Sequence, residues 1–266
     1  MSVYLGIGDA AHKMSKLYVG IDGKARQVRK MYAGVNGQAR LAYQSGTPLG
    51  GFAVGSTVKI AVGGKSYDWL AVHQGLPGNM YDASCSGTWL LMKDIYENRQ
   101  WNDSGADAND YEGSTIHSYL NSTFLNLLNI KNAIKQVKIP YRKGSGASPN
   151  VTSGSNGLPA KIFLLSATET SFSFDFMPSG EGAELAYFKG CADNRSDPKR
   201  VAYLNGFAAN WWLRSPYCHF LFQTAVYVNS NGKGNGAEHC NLSYGVRPCM
   251  ILPQDTLVDE TGRVIA

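Results

Sequence analysis

The chain lacks any apolar run approaching the length of a membrane span, and its N-terminus has no basic segment followed by a continuous apolar stretch. Neither membrane insertion nor a signal peptide is therefore expected. Cysteine is scarce: five residues, at 85, 191, 218, 240 and 249, form an odd set at irregular spacing, which is no disulfide framework. Synthesis in a reducing cytoplasm fits that usage. Charge is also thin, at 17% of residues, and beyond residue 45 eighteen bases meet eighteen acids. The net charge of +5 thus sits wholly in residues 1–45, where Lys13, Lys16, Lys24, Arg26, Arg29, Lys30 and Arg40 face only Asp9 and Asp22. Only two of these bases are adjacent and no helix carries a basic stripe, so a solvated face is expected and nucleic-acid binding is not. Against these absences stand 44% hydrophobic residues, 30 glycines and 15 tyrosines. That composition supports a real core and predicts a strand-rich chain with many turns.

The first 42 residues are three copies of a 14-residue unit: MSVYLGIGDAAHKM, SKLYVGIDGKARQV and RKMYAGVNGQARLA. Tyr4, Tyr18 and Tyr32 align, as do Gly6, Gly20 and Gly34. Asp22-Gly23 and Asn36-Gly37 are two-residue hairpin turns, because both central positions of such a turn need positive φ. Each unit is then a strand, a turn and a return strand. A single unit cannot bury its apolar face, so residues 1–44 are expected to anchor or oligomerise the protein, or merely to space the larger domain. SGTPLGG gives a linker over 45–51, and residues 52–266 form the main domain. There a hairpin is expected around Gly63-Gly64 and an apolar run at Trp89–Met92. Ser114 should cap a helix over Thr115–Leu128 with Ile116, Leu120, Phe124, Leu127 and Leu128 on one face. Further expectations are a short helix over Lys131–Val137, a Gly/Ser loop over 144–157, a buried strand over Lys161–Leu165, a short helix from Ala167 and a terminal hairpin around Asp259–Gly262. The layout is α+β.

Several chemical motifs dissolve on inspection. Trp101-Asn102-Asp103 spells a calcium-ligand triplet, but it precedes the main helix and no carboxylate cluster supplies six oxygens near Asn229–Asn235. Cys218-His219 and His239-Cys240 hold a formal zinc ligand set. Neighbours on an extended chain point to opposite sides, however, and the spacing matches no finger. No cysteine sits in a strand-to-helix elbow, and no glycine-rich loop opens a helix to cradle phosphate. No catalytic residue, metal or cofactor is expected.

Residues 211–250 carry the most information. The frames Trp211-Trp212-Leu213-Arg214-Ser215-Pro216 and Tyr244-Gly245-Val246-Arg247-Pro248-Cys249 read as buried scaffold, each arginine satisfying carbonyls or a carboxylate. Between them, Tyr217-Cys218-His219-Phe220-Leu221-Phe222 shows neither strand alternation nor helical spacing. Such a run is either a partner-facing loop or irregular core, with Phe220–Val228 as an alternating strand. The partner-facing reading is preferred.

The pattern WWLRSP…YVNSNG…YGVRPCMIL resembles the C-terminal part of C-type-lectin-fold domains of gut bacteria and their phages. It is also similar to the variable proteins of diversity-generating retroelements, exemplified by a phage tropism determinant. The resemblance covers about residues 50–266. It implies a C-type lectin-like fold, preceded here by the small β-hairpin repeat region, on which a retroelement randomises adenines in asparagine-type codons. All residue types in 217–222 and 239–244 are reachable that way, whereas Gln223, Lys233 and Glu238 are not. The implied ligand-binding set is Tyr217, Cys218, His219, Phe220, Leu221, Phe222, Tyr227, His239, Cys240, Asn241, Leu242 and Tyr244, held by the scaffold residues Trp211, Trp212, Arg214, Gly245 and Arg247. The implied protein is non-catalytic and sits on a virion, in a phage tail. It would bind a bacterial surface protein or glycan through this hypervariable set and a virion component through its repeats, with homo-oligomers possible and neither nucleic acid nor membrane as partner. The alternatives are a non-diversified lectin-fold structural component and, more distantly, a cysteine-oxidising enzyme of the same fold.

Overall fold

The computed structural model of the chain describes residues 4–7, 10–13, 17–103, 109–144, 150–172, 180–191, 195–217 and 223–265. The three repeats form separate two-stranded hairpins: Tyr4–Ile7 with Ala10–Lys13, Leu17–Ile21 with Lys24–Val28, and Lys30–Val35 with Gln38–Gln44. Asp22 and Gly23 take φ of 52° and 70°, and Asn36 and Gly37 take 52° and 73°, the left-handed pair that a tight hairpin turn requires. Tyr18, Val19, Ile21, Tyr32 and Val35 remain exposed. At the root of the third hairpin Tyr43 is buried.

Residues 45–51 are not the linker their composition suggests. Thr47–Pro48 pairs with Leu257–Val258, a 3-10 turn covers Leu49–Gly51, and Leu49 is fully buried. Gly46, at φ 109°, permits this docking, because a Cβ there would collide with the Val258 carbonyl. The terminal hairpin, Leu257–Val258 with Val264–Ile265, completes that small sheet as expected.

Two five-stranded sheets build the main domain, which is strand-dominated α+β. The first runs Ile162–Phe163, Cys249–Leu252, Gly87–Met92, Lys65–Gly75 and Thr57–Val62, all antiparallel. Its two outermost strands in that direction are joined by the Gly63-Gly64 hairpin turn. Every residue of Gly87–Met92 is buried, as befits a central strand covered on both faces. The second sheet runs Glu97–Gln100, Ser243–Val246, Trp211–Pro216, Thr224–Val228 and Gly234–His239. Its one parallel contact joins Trp211–Pro216 to Ser243–Val246.

One bent ribbon crosses both sheets. Gly87–Met92 pairs with Cys249–Leu252 in the first sheet, and Glu97–Gln100 pairs with Ser243–Val246 in the second. Arg247-Pro248 and Lys93–Tyr96 therefore form the corner between them. All five tryptophans, Trp69, Trp89, Trp101, Trp211 and Trp212, lie fully buried around this junction of apolar layers.

Ser114 caps the helix as expected, its Oγ accepting the His117 N–H at 3.2 Å. Thr115–Tyr119 is α-helical, Leu120–Phe124 widens into a π turn, and Leu125–Leu127 closes the helix. The wider turn carries the buried stripe through Ile116, Leu120, Phe124 and Leu128, and leaves Leu127 38% exposed instead of buried. No helix forms over Lys131–Val137: its start is a turn, and Val137–Ile139 pairs with Leu158–Ala160. Val137 and Ile139 alternate inward with Lys138 between them, a period of two that outweighs helical propensity.

Candidate functional site

The scaffold residues form two buried polar knots. Arg214, on the Trp211–Pro216 strand, forks onto Glu169 with Nη1–Oε2 at 2.6 Å and Nη2–Oε1 at 2.7 Å, and it also donates to the carbonyls of Pro140 and Leu164. Glu169 is completed by the Tyr81 hydroxyl at 2.9 Å and the Ser166 N–H at 2.9 Å. A second carboxylate, Glu181, accepts from the Ser215 hydroxyl and stands 3.6 Å from Arg214 Nε. Burial first, and only then its cationic neighbours working against it, sets the Glu181 carboxyl above its usual range. The acids were invisible to motif reading, because they lie 33 to 45 residues from their arginine and carry no shared pattern.

Arg247 makes the second knot, at the corner between sheets. Its Nε donates to the Met92 carbonyl and its Nη2 to that of Lys93, both at 2.9 Å, and the guanidinium lies 4.9 Å from the Trp211 ring centre. Gly245 is held to glycine by space: a Cβ there would come within 2.7 Å of Ile95 Cδ1 and 2.8 Å of the Asn210 carbonyl. Trp211 and Trp212 anchor their indoles on the carbonyls of Arg200 and Arg99. Trp101 does likewise on Leu213. Asn102 accepts the Thr115 N–H at the helix start, so the calcium-like triplet serves packing and helix entry.

Around this scaffold the predicted contact residues divide. Tyr217 lies half-buried at the end of its strand, its N–H on the Thr224 carbonyl. His239 pairs with Thr224 and is exposed, and Asn241 and Leu242 are exposed on the turn that follows. Asn109 gathers the two strand ends, donating to the carbonyls of Tyr217 and Thr224. These residues therefore share one end of the second sheet. Cys218, His219, Phe220, Leu221 and Phe222 lie outside the described residues.

Two expected contact residues are corrected by the packing. Tyr227 is only 7% exposed: its ring sits 4.9 Å from that of Tyr244 and 6.2 Å from that of Trp212, and Asn235 donates to its hydroxyl at 3.0 Å. Cys240 is 1% exposed, its N–H on Gln223 and its carbonyl accepting from both Trp101 and Asn102. Burial pushes its thiol up to about 12, so it is a small hydrophobe and no nucleophile. The strand Thr224–Val228 agrees with the C-terminal part of the alternative strand Phe220–Val228, but it is buried on both faces instead of alternating.

Tyr244 is half-buried and bridges the two zones. Its ring lies 4.8 Å from Trp212 on the inner side, while burial, followed by the charge of Glu238, raises its phenol. Beside it on the edge strand, Arg99 stacks 3.6 Å over the Tyr119 ring and pairs with Glu97 at 2.6 Å. Sequence reasoning did not single out Arg99 or Tyr119; register across the sheet pairs Arg99 with Tyr244 and Asn235 with Tyr227, and the helix brings Tyr119 beneath Arg99.

A family model described as "Domain of unknown function (DUF6273)" matches residues 86–254, which span the ribbon, the helix and both scaffold arginines. No curated protein and no solved structure matches the chain.

Proposed function

The chain belongs to the DUF6273 family, and from the division of its second sheet into scaffold and surface we propose that it is a non-catalytic receptor-binding protein. The sheet end carrying Tyr217, His239, Asn241, Leu242 and the outer edge of Tyr244, together with the 218–222 segment, is the contact surface for a protein or glycan on a bacterial cell. In this reading the main domain is a C-type lectin-like scaffold whose surface positions a retroelement diversifies. Residues 1–44 attach it to a phage tail or other virion component. One observation carries the reading: the exposed, chemically varied residues His239, Asn241 and Leu242 stand at the end of a sheet whose strands Trp211–Pro216 and Thr224–Val228 are fully buried, the first of them locked through Arg214. Side chains there can change without touching the core, which is what a variable binder requires.

The test compares the native chain with one in which Tyr217, His239, Phe220, Phe222 and Leu242 become serine, on a panel of intact gut bacteria. Loss of the bacterial target with an unchanged thermal midpoint is the expected result. Equal binding by both chains would move the contact surface elsewhere. A genomic template repeat differing from codons 217–244 only at adenines is the matching genetic observation, and its absence would favour a non-diversified structural component.

A further inference from the structure

The second and third repeats divide their side chains between two unlike faces. Register in the second hairpin sets Tyr18 opposite Gln27 and Gly20 opposite Ala25, so these four share one face and none is charged. The other face carries Val19 opposite Arg26 and Ile21 opposite Lys24. The third hairpin repeats the arrangement: Tyr32 lies two residues from Gly34, which stands opposite Ala39, and Arg40 stands on the other face opposite Ala33. Tyr18 is 56% exposed and Tyr32 58%, although each ring carries a large apolar area. At the root, Gln27 borders a cleft against Ser45–Thr47 and Val258–Thr261. The open part of the second hairpin's neutral face is therefore Tyr18 with the Gly20 and Ala25 pair.

Gly20 and Gly34 have no reason within the described residues to be glycine. Neither takes a positive φ, and nothing lies within 4 Å of a Cβ built on either. Glycine at such a position weakens a strand, and its use there marks a close approach by something else. With Ala25 and Ala39 across from them, the two glycines leave a hollow two residues along from each exposed tyrosine. Each face is thus a knob beside a hole. Turned about a two-fold axis and laid on a copy of itself, the knob of one enters the hole of the other, and the contact is made twice. Charge selects the same pairing. Residues 1–45 carry the whole net charge of +5, so copies meeting through Lys24, Arg26 and Arg40 would repel, whereas the tyrosine faces set no charge against charge.

We propose that a second copy of this chain docks on this neutral face, Tyr18 and Tyr32 of each copy lying in the glycine–alanine hollows of the other. The rings then cover backbone that otherwise faces water, and two-stranded ribbons too thin to be stable alone gain a second layer. The dimer needs neither the sheet end nor a receptor, so it stands apart from the reading above. It also leaves the basic face free for a virion component.

Sedimentation equilibrium of the full chain over a range of concentrations tests this, and a reversible dimer is expected. Gly20→Thr with Gly34→Thr should raise its dissociation constant roughly tenfold or more, because the new side chains fill the hollows. The thermal midpoint should not fall, since threonine suits an open strand position. Tyr18→Ser with Tyr32→Ser, at exposed positions, should weaken the dimer as much, and it decides the matter should the threonine chain misfold. Lys24→Ser, Arg26→Ser and Arg40→Ser together, on the opposite face, should leave the dimer no weaker. A chain that stays monomeric at every concentration overturns the proposal. So does a dimer that survives the tyrosine replacements, or one that is lost with the basic face.

Discussion

At Arg214 and Arg247 the same side chain meets two different fates within one domain. Arg214 is neutralised by Glu169 and fixed from every side, so it serves rigidity; Arg247 is held by two carbonyls and leaves one buried nitrogen without a hydrogen-bond partner. The cysteines show how completely burial decides chemistry at this scale. Cys85 and Cys191 are pushed up to about 11 and Cys240 up to about 12, from an ordinary 9.0, burial being the largest cause in each. A raised thiol keeps its proton in the folded chain at a pH where the unfolded chain has lost it. The corresponding stability is fully present below about pH 9 and is lost as pH rises through 11 to 12. In a Cys218→Ser chain, thiol-specific disulfide reagents at pH 8 should therefore react slowly until denaturant is added, and urea midpoints should fall from pH 9 upward. A thiol reacting at the rate of a free cysteine would show that its side of the core is open.

Elements with a local signature were legible from the residues alone. Ser114 announced its cap, and Asp22-Gly23, Asn36-Gly37 and Gly63-Gly64 announced their turns, because each conformation is decided within a few residues. The cap makes a direct prediction: Ser114→Ala should destabilise the chain by about 1 kcal/mol in urea unfolding, and an unchanged midpoint would mean the His117 N–H finds another acceptor. What stayed hidden was decided across long sequence distances. Thr47–Pro48 became a strand only because Leu257–Val258 offered it an edge. The helix predicted over Lys131–Val137 gave way to a turn and to a strand from Val137 that pairs with Leu158–Ala160, and the π turn shifted the buried stripe away from Leu127. At the candidate site the frames Trp211–Pro216 and Tyr244–Cys249 were legible from their composition as scaffold, and their residues are buried apart from the half-buried Tyr244. Tyr227 and Cys240 were misplaced because their burial is set by distant partners, a strand covered on both faces for Tyr227 and backbone bonds to Trp101 and Asn102 for Cys240.

The whole molecule grades from a locked interior to surfaces without cover. Fully buried central strands such as Gly87–Met92 and Thr224–Val228 should open only with global unfolding, while the repeat hairpins, exposed on both faces, make no core of their own between Leu17 and Val35. That gradient suits a protein whose ends meet partners and whose middle does not change. It also separates two roles that the primary structure interleaves within 211–250, and stability measurements can test the separation residue by residue. Tyr217→Ser, His239→Ser and Leu242→Ser should each shift unfolding free energy by no more than about 0.5 kcal/mol, since these side chains rest at the periphery. Tyr227→Ser removes a ring packed against both Trp212 and Tyr244 and should cost roughly 3 kcal/mol. Cys240→Ser places a hydroxyl in a 1% exposed site and should cost about 1–3 kcal/mol. If instead Tyr217, His239 and Leu242 proved as costly as Tyr227, the sheet end would be core, and a surface that can vary freely could not exist there. The converse result, cheap replacement at Tyr227 and Cys240 as well, would mean that the interior tolerates what dense packing forbids, and the scaffold would have no fixed frame on which to display a binding surface.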